Sequence, residues 1–143
     1  MATLERAVEL AVKAHRGQRD KAGMPYILHP LWLMHQFENI DTMIAAVLHD
    51  AIEDSDLTLD DLRREGFSPP VVDAIDALTH RTSEPYDAYL LRVRNNAIAR
   101  RIKLADLEHN MDLRRIGQIG QNDLERLKKY HDARQFLNAP STN

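Results

Sequence analysis

The stretch that most restricts the fold is residues 44–54, IAAVLHDAIED, where an apolar run turns abruptly into His49, Asp50, Glu53 and Asp54. Taken as a single helix over residues 42–54 with Asp41 as its N-cap, it stacks His49 over Glu53 and Asp50 over Asp54, so that four polar groups share one side. Carboxylates are costly to bury unless a cation or a hydrogen-bond network answers them. A divalent metal answers them directly.

The remaining segments have helical spacing. Leu4, Ala7, Val8, Ala11, Val12 and Ala14 predict a helix over residues 4–15 with one core face, followed by a charged surface loop over 18–25 that contains Gly23 and Pro25. Pro30 disfavours helical geometry at the preceding residue and suits a first helical turn, which puts His29 at the lip of a helix starting at Leu31. Thr58 and Asp61 form the pattern of a capping box, with Gly66 ending that short helix and Ser68-Pro69 opening the next. Further helices are expected over residues 86–93, from Asn96 toward Met111, and from an Asn122 cap to Leu137, the last with Leu124, Leu127, Tyr130 and Phe136 facing inward. There is no strand-like alternation of useful length and no internal repeat, so the expected class is all-α.

A chain of 143 residues supports one hydrophobic core, read as a domain over residues 1–138 with a fraying tail over 139–143. Hydrophobic residues at 43% and charged residues at 29% give a globular composition. The absence of cysteine excludes a disulfide framework, a thiolate zinc site and a thiol nucleophile. The longest apolar run, residues 43–48, falls far short of the roughly 20 residues that span a bilayer, and the amino terminus lacks a signal-peptide pattern, so a cytoplasmic protein without a membrane partner is expected. A net charge of -3 argues against binding a nucleic-acid polymer, while Arg100, Arg101 and Lys103 leave a local cationic cluster for a phosphorylated small molecule.

Two further ligand types occur in apolar settings: His29 beside Pro30, and Asp106 after Ile102. His29, His49, Asp50 and Asp106 together make a mixed nitrogen and oxygen shell suited to manganese, iron or zinc. Glu53 and Asp54 are then placed to reach water beside the metal, orient it and take its proton, which is hydrolytic chemistry. Each of these residues alone is more often a structural hydrogen-bonder, and Asp106 alone could pair with Lys103. His15, His35, His80, His109 and His131 show no such grouping and are expected to be surface or satisfied core histidines.

His29-Pro30, His49-Asp50 and Asp106 in this order resemble the HD superfamily of metal-dependent phosphohydrolases. More narrowly, AHRGQ (14–18), GMPYILHP (23–30), LHDAIED (48–54) and KLADLEHNM (103–111) are similar to motifs of the hydrolase domain of the RelA/SpoT alarmone enzymes. The resemblance implies a compact helical HD-domain fold, with manganese at His29, His49, Asp50 and Asp106 and Glu53 and Asp54 as the catalytic pair. It also implies that Lys21 and Asn110 contact substrate, and that the reaction removes the 3′-pyrophosphate of guanosine 3′,5′-bis(diphosphate). The chain departs from the family pattern at Asp20, Leu107 and Leu113, and an anion at position 20 repels a polyphosphate. Two alternatives therefore stand beside the alarmone: another nucleotide or phosphoester at the same site, and a non-catalytic module that binds metal or nucleotide. Pairing of two copies through apolar residues of the last helix is left open.

Overall fold

The computed structural model describes residues 2–139. The described elements, in chain order, are α1 (Leu4–Ala14), α2 (Leu28–Met34), α3 (Ile40–Val47), α4 (Ala51–Asp54), α5 (Leu59–Glu65), α6 (Pro69–Leu78), α7 (Tyr86–Arg94), α8 (Ala97–Asn110), a 3-10 turn Leu113–Arg115, and α9 (Gln121–Asn138). The expected all-α class holds; the only β feature among the described residues is an isolated bridge between Arg19 and Pro25. No helix among them is long and apolar enough to cross a membrane. Of the tail over residues 139–143 expected to fray, Ala139 is held by its N–H on the Phe136 carbonyl and by the Arg94 guanidinium on its own carbonyl, and the remainder lies outside the described residues.

The centre of the molecule is α3. Ile44, Ala45, Ala46, Val47 and Leu48 are all buried, and a helix apolar on every side can sit only inside other elements. It is enclosed by α1, α2, α6 and α8. Leu33, Leu62, Ile75, Leu78, Ile102, Leu107 and Leu137 complete the core from the surrounding helices.

Several expected helix ends are found. Thr58 and Asp61 form a reciprocal capping box and Gly66, at φ 92°, closes α5 in the left-handed region. Two caps differ. The N-cap of α3 is Asn39, whose side chain accepts from the Thr42 N–H, not Asp41. The N-cap of α9 is Gly120, whose N–H is taken by the Asp123 carboxylate at 2.8 Å, so the helix begins before Asn122. On α9 the buried residues are Ala133 and Leu137, with Tyr130 and Phe136 packed beside them, whereas Leu124 is 51% exposed. Leu124 precedes Ala133 by nine residues, which at about 100° per residue is half a revolution and puts it on the outer side.

The organising segment is not one helix. His49 Nδ1–H donates to the Ala46 carbonyl at 2.8 Å, and the backbone tightens to bonds from His49 to Ala46 and from Ala51 to Leu48. The imidazole thus competes for a helical acceptor and breaks the helix at residues 48–50. The expected continuous helix is lost, although the Asp54 N–H still bonds the Asp50 carbonyl at 3.1 Å, one helical turn apart, and His49 and Asp50 sit in the bend between α3 and α4. Helix α2, conversely, starts earlier than expected: Leu28, His29 and Pro30 are its first three residues, and the N–H that proline lacks is one of the four that a helix start leaves unpaired anyway. His29 is therefore inside the first turn, not at its lip.

Candidate metal centre and adjoining pocket

Three separated elements deliver four side chains to one place. The bend after α3 brings His49 and Asp50, the first turn of α2 brings His29, and the middle of α8 brings Asp106. Ligand atoms of His29, His49 and Asp50 lie within 4.8 Å of one another. Asp106 Oδ1 is 2.7 Å from His29 Nε2 and 3.4 Å from His49 Nε2, and Asp50 Oδ2 is 3.0 Å from His49 Nε2. His29, His49 and Asp106 are buried and Asp50 is partly so.

The residues fit a divalent cation. Because Nδ1 of His49 carries the proton given to Ala46, a neutral ring presents its Nε2 lone pair to two carboxylate oxygens. That buried nitrogen makes no hydrogen bond of acceptable geometry despite the short distances. Lone pair against carboxylate is repulsive, and only a proton or a metal relieves it. Burial lowers the pKa of His49, yet Asp50 and Asp106 outweigh it and hold the ring above its ordinary value. A nitrogen and oxygen donor set of this kind suits manganese, iron or zinc better than calcium.

The surroundings fix these groups. His109, expected to be a surface or satisfied core histidine, instead places its Nδ1 2.6 Å from Nδ1 of His29 and stacks on Trp32 with ring centroids 3.9 Å apart. Burial, followed by the Arg115 cation, lowers His109 to about 4, so it is neutral near pH 7. The proton shared by the two Nδ1 atoms can sit on either ring, leaving His29 Nε2 a donor to Asp106 or a lone pair for a cation. The sequence signal was available: His109 lies three residues after Asp106, on the same side of α8. Lys103 Nζ binds Asp106 Oδ2 at 2.9 Å, Asn110 Nδ2 donates to Asp106 Oδ1 at 3.2 Å, and the Tyr26 hydroxyl donates to Asp50.

Glu53 and Asp54 stand on α4 outside this cluster. Glu53 Oε1 accepts the His80 N–H at 2.5 Å, and burial together with nearby Asp50 raises its pKa against that bond. Asp54 Oδ2 accepts from Gln18 Nε2 at 3.3 Å, and Gln18 Oε1 in turn lies 2.9 Å from Nδ1 of buried His15. His80 belongs to a loop clamped by Arg92, which binds both oxygens of Glu84 at 2.7 Å and donates to the carbonyls of Asp76 and Thr79. The guanidinium holds Glu84 down at about 2. With the folded pKa below the ordinary carboxylate value, this clamp is fully present above that value and is lost as pH falls toward 2. Amide protection over residues 79–84 is expected to follow that window in hydrogen exchange, and Arg92→Met should remove it already at pH 7 without changing metal content. Unchanged protection in Arg92→Met would show that other contacts hold the loop.

Beside the cluster lies a cavity of about 280 Å³ between the 18–26 loop, the end of α8 and the start of α9. Lys21 and Asn110 both line it, and Tyr26 and Asn110 connect it to Asp50 and Asp106. Its lining has four cations, Arg19, Lys21, Arg115 and Arg126, against two anions, Asp20 and Asp123. A positive hollow in a chain of net charge -3 suits an anionic ligand. Of the departures from the family pattern, Asp20 alone lines this cavity; Leu107 is buried in the core and Leu113 is 54% exposed. A larger hollow of about 670 Å³ between α7 and α9 contains none of the cluster residues.

Paired histidines and aspartates at the centre of a helical fold define the HD domain, and this chain belongs to that family: the HD-domain profile matches residues 7–85, a span that includes His29, His49, Asp50, Glu53 and Asp54. Among its relatives is the human guanosine-3′,5′-bis(diphosphate) 3′-pyrophosphohydrolase MESH1, 32% identical over 145 residues that cover 92% of this chain and 80% of that protein. A GTP pyrophosphokinase of Streptomyces coelicolor is 35% identical over 147 residues, and this chain spans only 16% of its length. A solved structure of a metazoan ortholog of SpoT, described as hydrolyzing ppGpp, superposes with a TM-score of 0.76 at 23% identity, covering 100% of this chain and 89% of the other. That likeness establishes the fold.

Proposed function

We propose that the chain is a metal-dependent phosphohydrolase that removes the 3′-pyrophosphate from guanosine 3′,5′-bis(diphosphate). The observation that carries the reading is the unpaired Nε2 of His49, buried between Asp50 and Asp106 at the edge of a cationic pocket. The human relative, similar over nearly the whole of both chains, favours this substrate.

His29, His49, Asp50 and Asp106 would hold the cation, with manganese first and iron or zinc as alternatives. When bound, such an ion supplies positive charge that acidifies water and offsets charge on phosphate oxygens. Glu53, its pKa raised by burial, is suited to take a proton from the attacking water, and Asp54, steadied by Gln18, to orient that water. Lys21 and Asn110 would hold the nucleotide. Water adds to the 3′-linked phosphorus, the bond to the ribose oxygen breaks, and guanosine 5′-diphosphate and pyrophosphate leave.

A phosphoester panel with added manganese tests the assignment. Pyrophosphate release from guanosine 3′,5′-bis(diphosphate) well above that from ordinary nucleotides is expected. The reverse preference would move the substrate to another nucleotide, the second reading, which the Asp20 carboxylate in the pocket favours. No turnover of any phosphoester by metal-loaded protein would leave a binding module.

A further inference from the structure

Arg115 closes the 3-10 turn Leu113–Arg115 and points back across the cavity. Its Nη1 donates to the His109 carbonyl at 3.1 Å and to Asn110 Oδ1 at 3.3 Å, anchoring one arm of the guanidinium. The other arm, Nη2, is 3.7 Å from Asp20 Oδ2, too far for a hydrogen bond. Asp20 itself is fixed: its Oδ1 accepts the N–H groups of Ala22 and Met24 and shapes the loop. One side of a guanidinium is thus held rigidly while the other faces the pocket against a loosely matched carboxylate. A phosphate offers Arg the paired, short contacts that Asp20 does not.

We infer that Arg115 is the specificity-determining residue for a second phosphate group on the nucleotide, one remote from the bond that is cut. Its contacts run to Asn110, whose amide donates to Asp106, and to the carbonyl of His109, whose ring meets His29, so the guanidinium stands one residue removed from the His/Asp cluster and a phosphate held by Arg115 lies beyond the reacting one. The favoured substrate is therefore a nucleotide phosphorylated at two positions, for which Arg115 exchanges its contact with Asp20. In this chain the anion at position 20 is countered from the opposite wall. The inference rests on the proposed function for the chemistry at the cluster, but binding tests it separately.

Steady-state rates of wild type, Arg115→Ala and Arg115→Lys are compared on guanosine 3′,5′-bis(diphosphate) and on guanosine 3′-diphosphate, which lacks the 5′ phosphates. Arg115→Ala should raise KM for the first by about ten-fold or more with kcat within about three-fold, leave the second nearly unchanged, and be partly rescued by lysine. Asp20→Asn should lower KM for the first substrate, and by a larger factor when Arg115 is present than in the Arg115→Ala background. Equal losses on both substrates would make Arg115 a structural prop and overturn the inference, as would an unchanged KM. Calorimetry with guanosine 5′-diphosphate on folded, metal-loaded protein decides the same contact without turnover: weaker binding in Arg115→Ala supports it and equal binding refutes it. If wild type hydrolyses neither compound, the proposed function fails while this arm still judges Arg115.

Discussion

Asp106→Ala is expected to abolish stable metal binding and to lower phosphohydrolase turnover by about a thousand-fold or more, because it removes the one carboxylate that approaches both imidazoles. The same change strips the Lys103 ammonium, whose side chain is 15% exposed, of its counter-ion, and leaving one partner of a buried pair alone costs up to about 3–5 kcal/mol. These two effects separate in the double variant Asp106→Ala with Lys103→Met, which removes the stranded charge. Its melting temperature should recover toward wild type while metal content and turnover stay lost. Bound metal at wild-type stoichiometry in either variant, or turnover within about ten-fold of wild type, would show that Asp106 is not a ligand.

Leu48→Ala is expected to destabilise the fold by about 3 kcal/mol, the middle of the range for emptying a leucine site in a core that cannot collapse around it. Leu48 is fully buried and immediately precedes the bend that carries His49. For a chain of this size, that loss lowers the melting temperature by about 10 °C. Leu124→Ala, on the outer side of α9 and 51% exposed, should change stability by less than about 0.5 kcal/mol. Equal melting shifts in the two variants would contradict the assignment of α3 as the enclosed centre.

Much of this architecture was legible from spacing. The cap at Thr58, the stop at Gly66 and part of the core face of α1 follow from local chemistry acting over one turn, although Val12, expected on that face, is 40% exposed and Leu10 is buried instead. What escaped was set by contacts within or beyond that turn that spacing does not encode. The bend at residues 48–50 depends on an imidazole taking a carbonyl of its own helix, which nothing in the apolar pattern signals. The early start of α2 depends on the turn at Pro25 and Tyr26 feeding directly into the helix. His29, His49, Asp50 and Asp106 were readable as a set because imidazoles and carboxylates are rare in apolar settings. Arg115 was not, since it meets Asp20 only across the folded pocket, and the one signal for His109 was its spacing of three residues from Asp106 on α8.

Because its donors come from α2, from the bend after α3 and from α8, the cluster does not exist in any short piece of the chain. A chain emerging from the ribosome could present His29 and His49 early, yet the full set closes only after the segment carrying Asp106 has been made and has docked. An ion held by this set would therefore be captured at the end of folding, and by recognising only the finished arrangement it would secure three distant stretches against reopening.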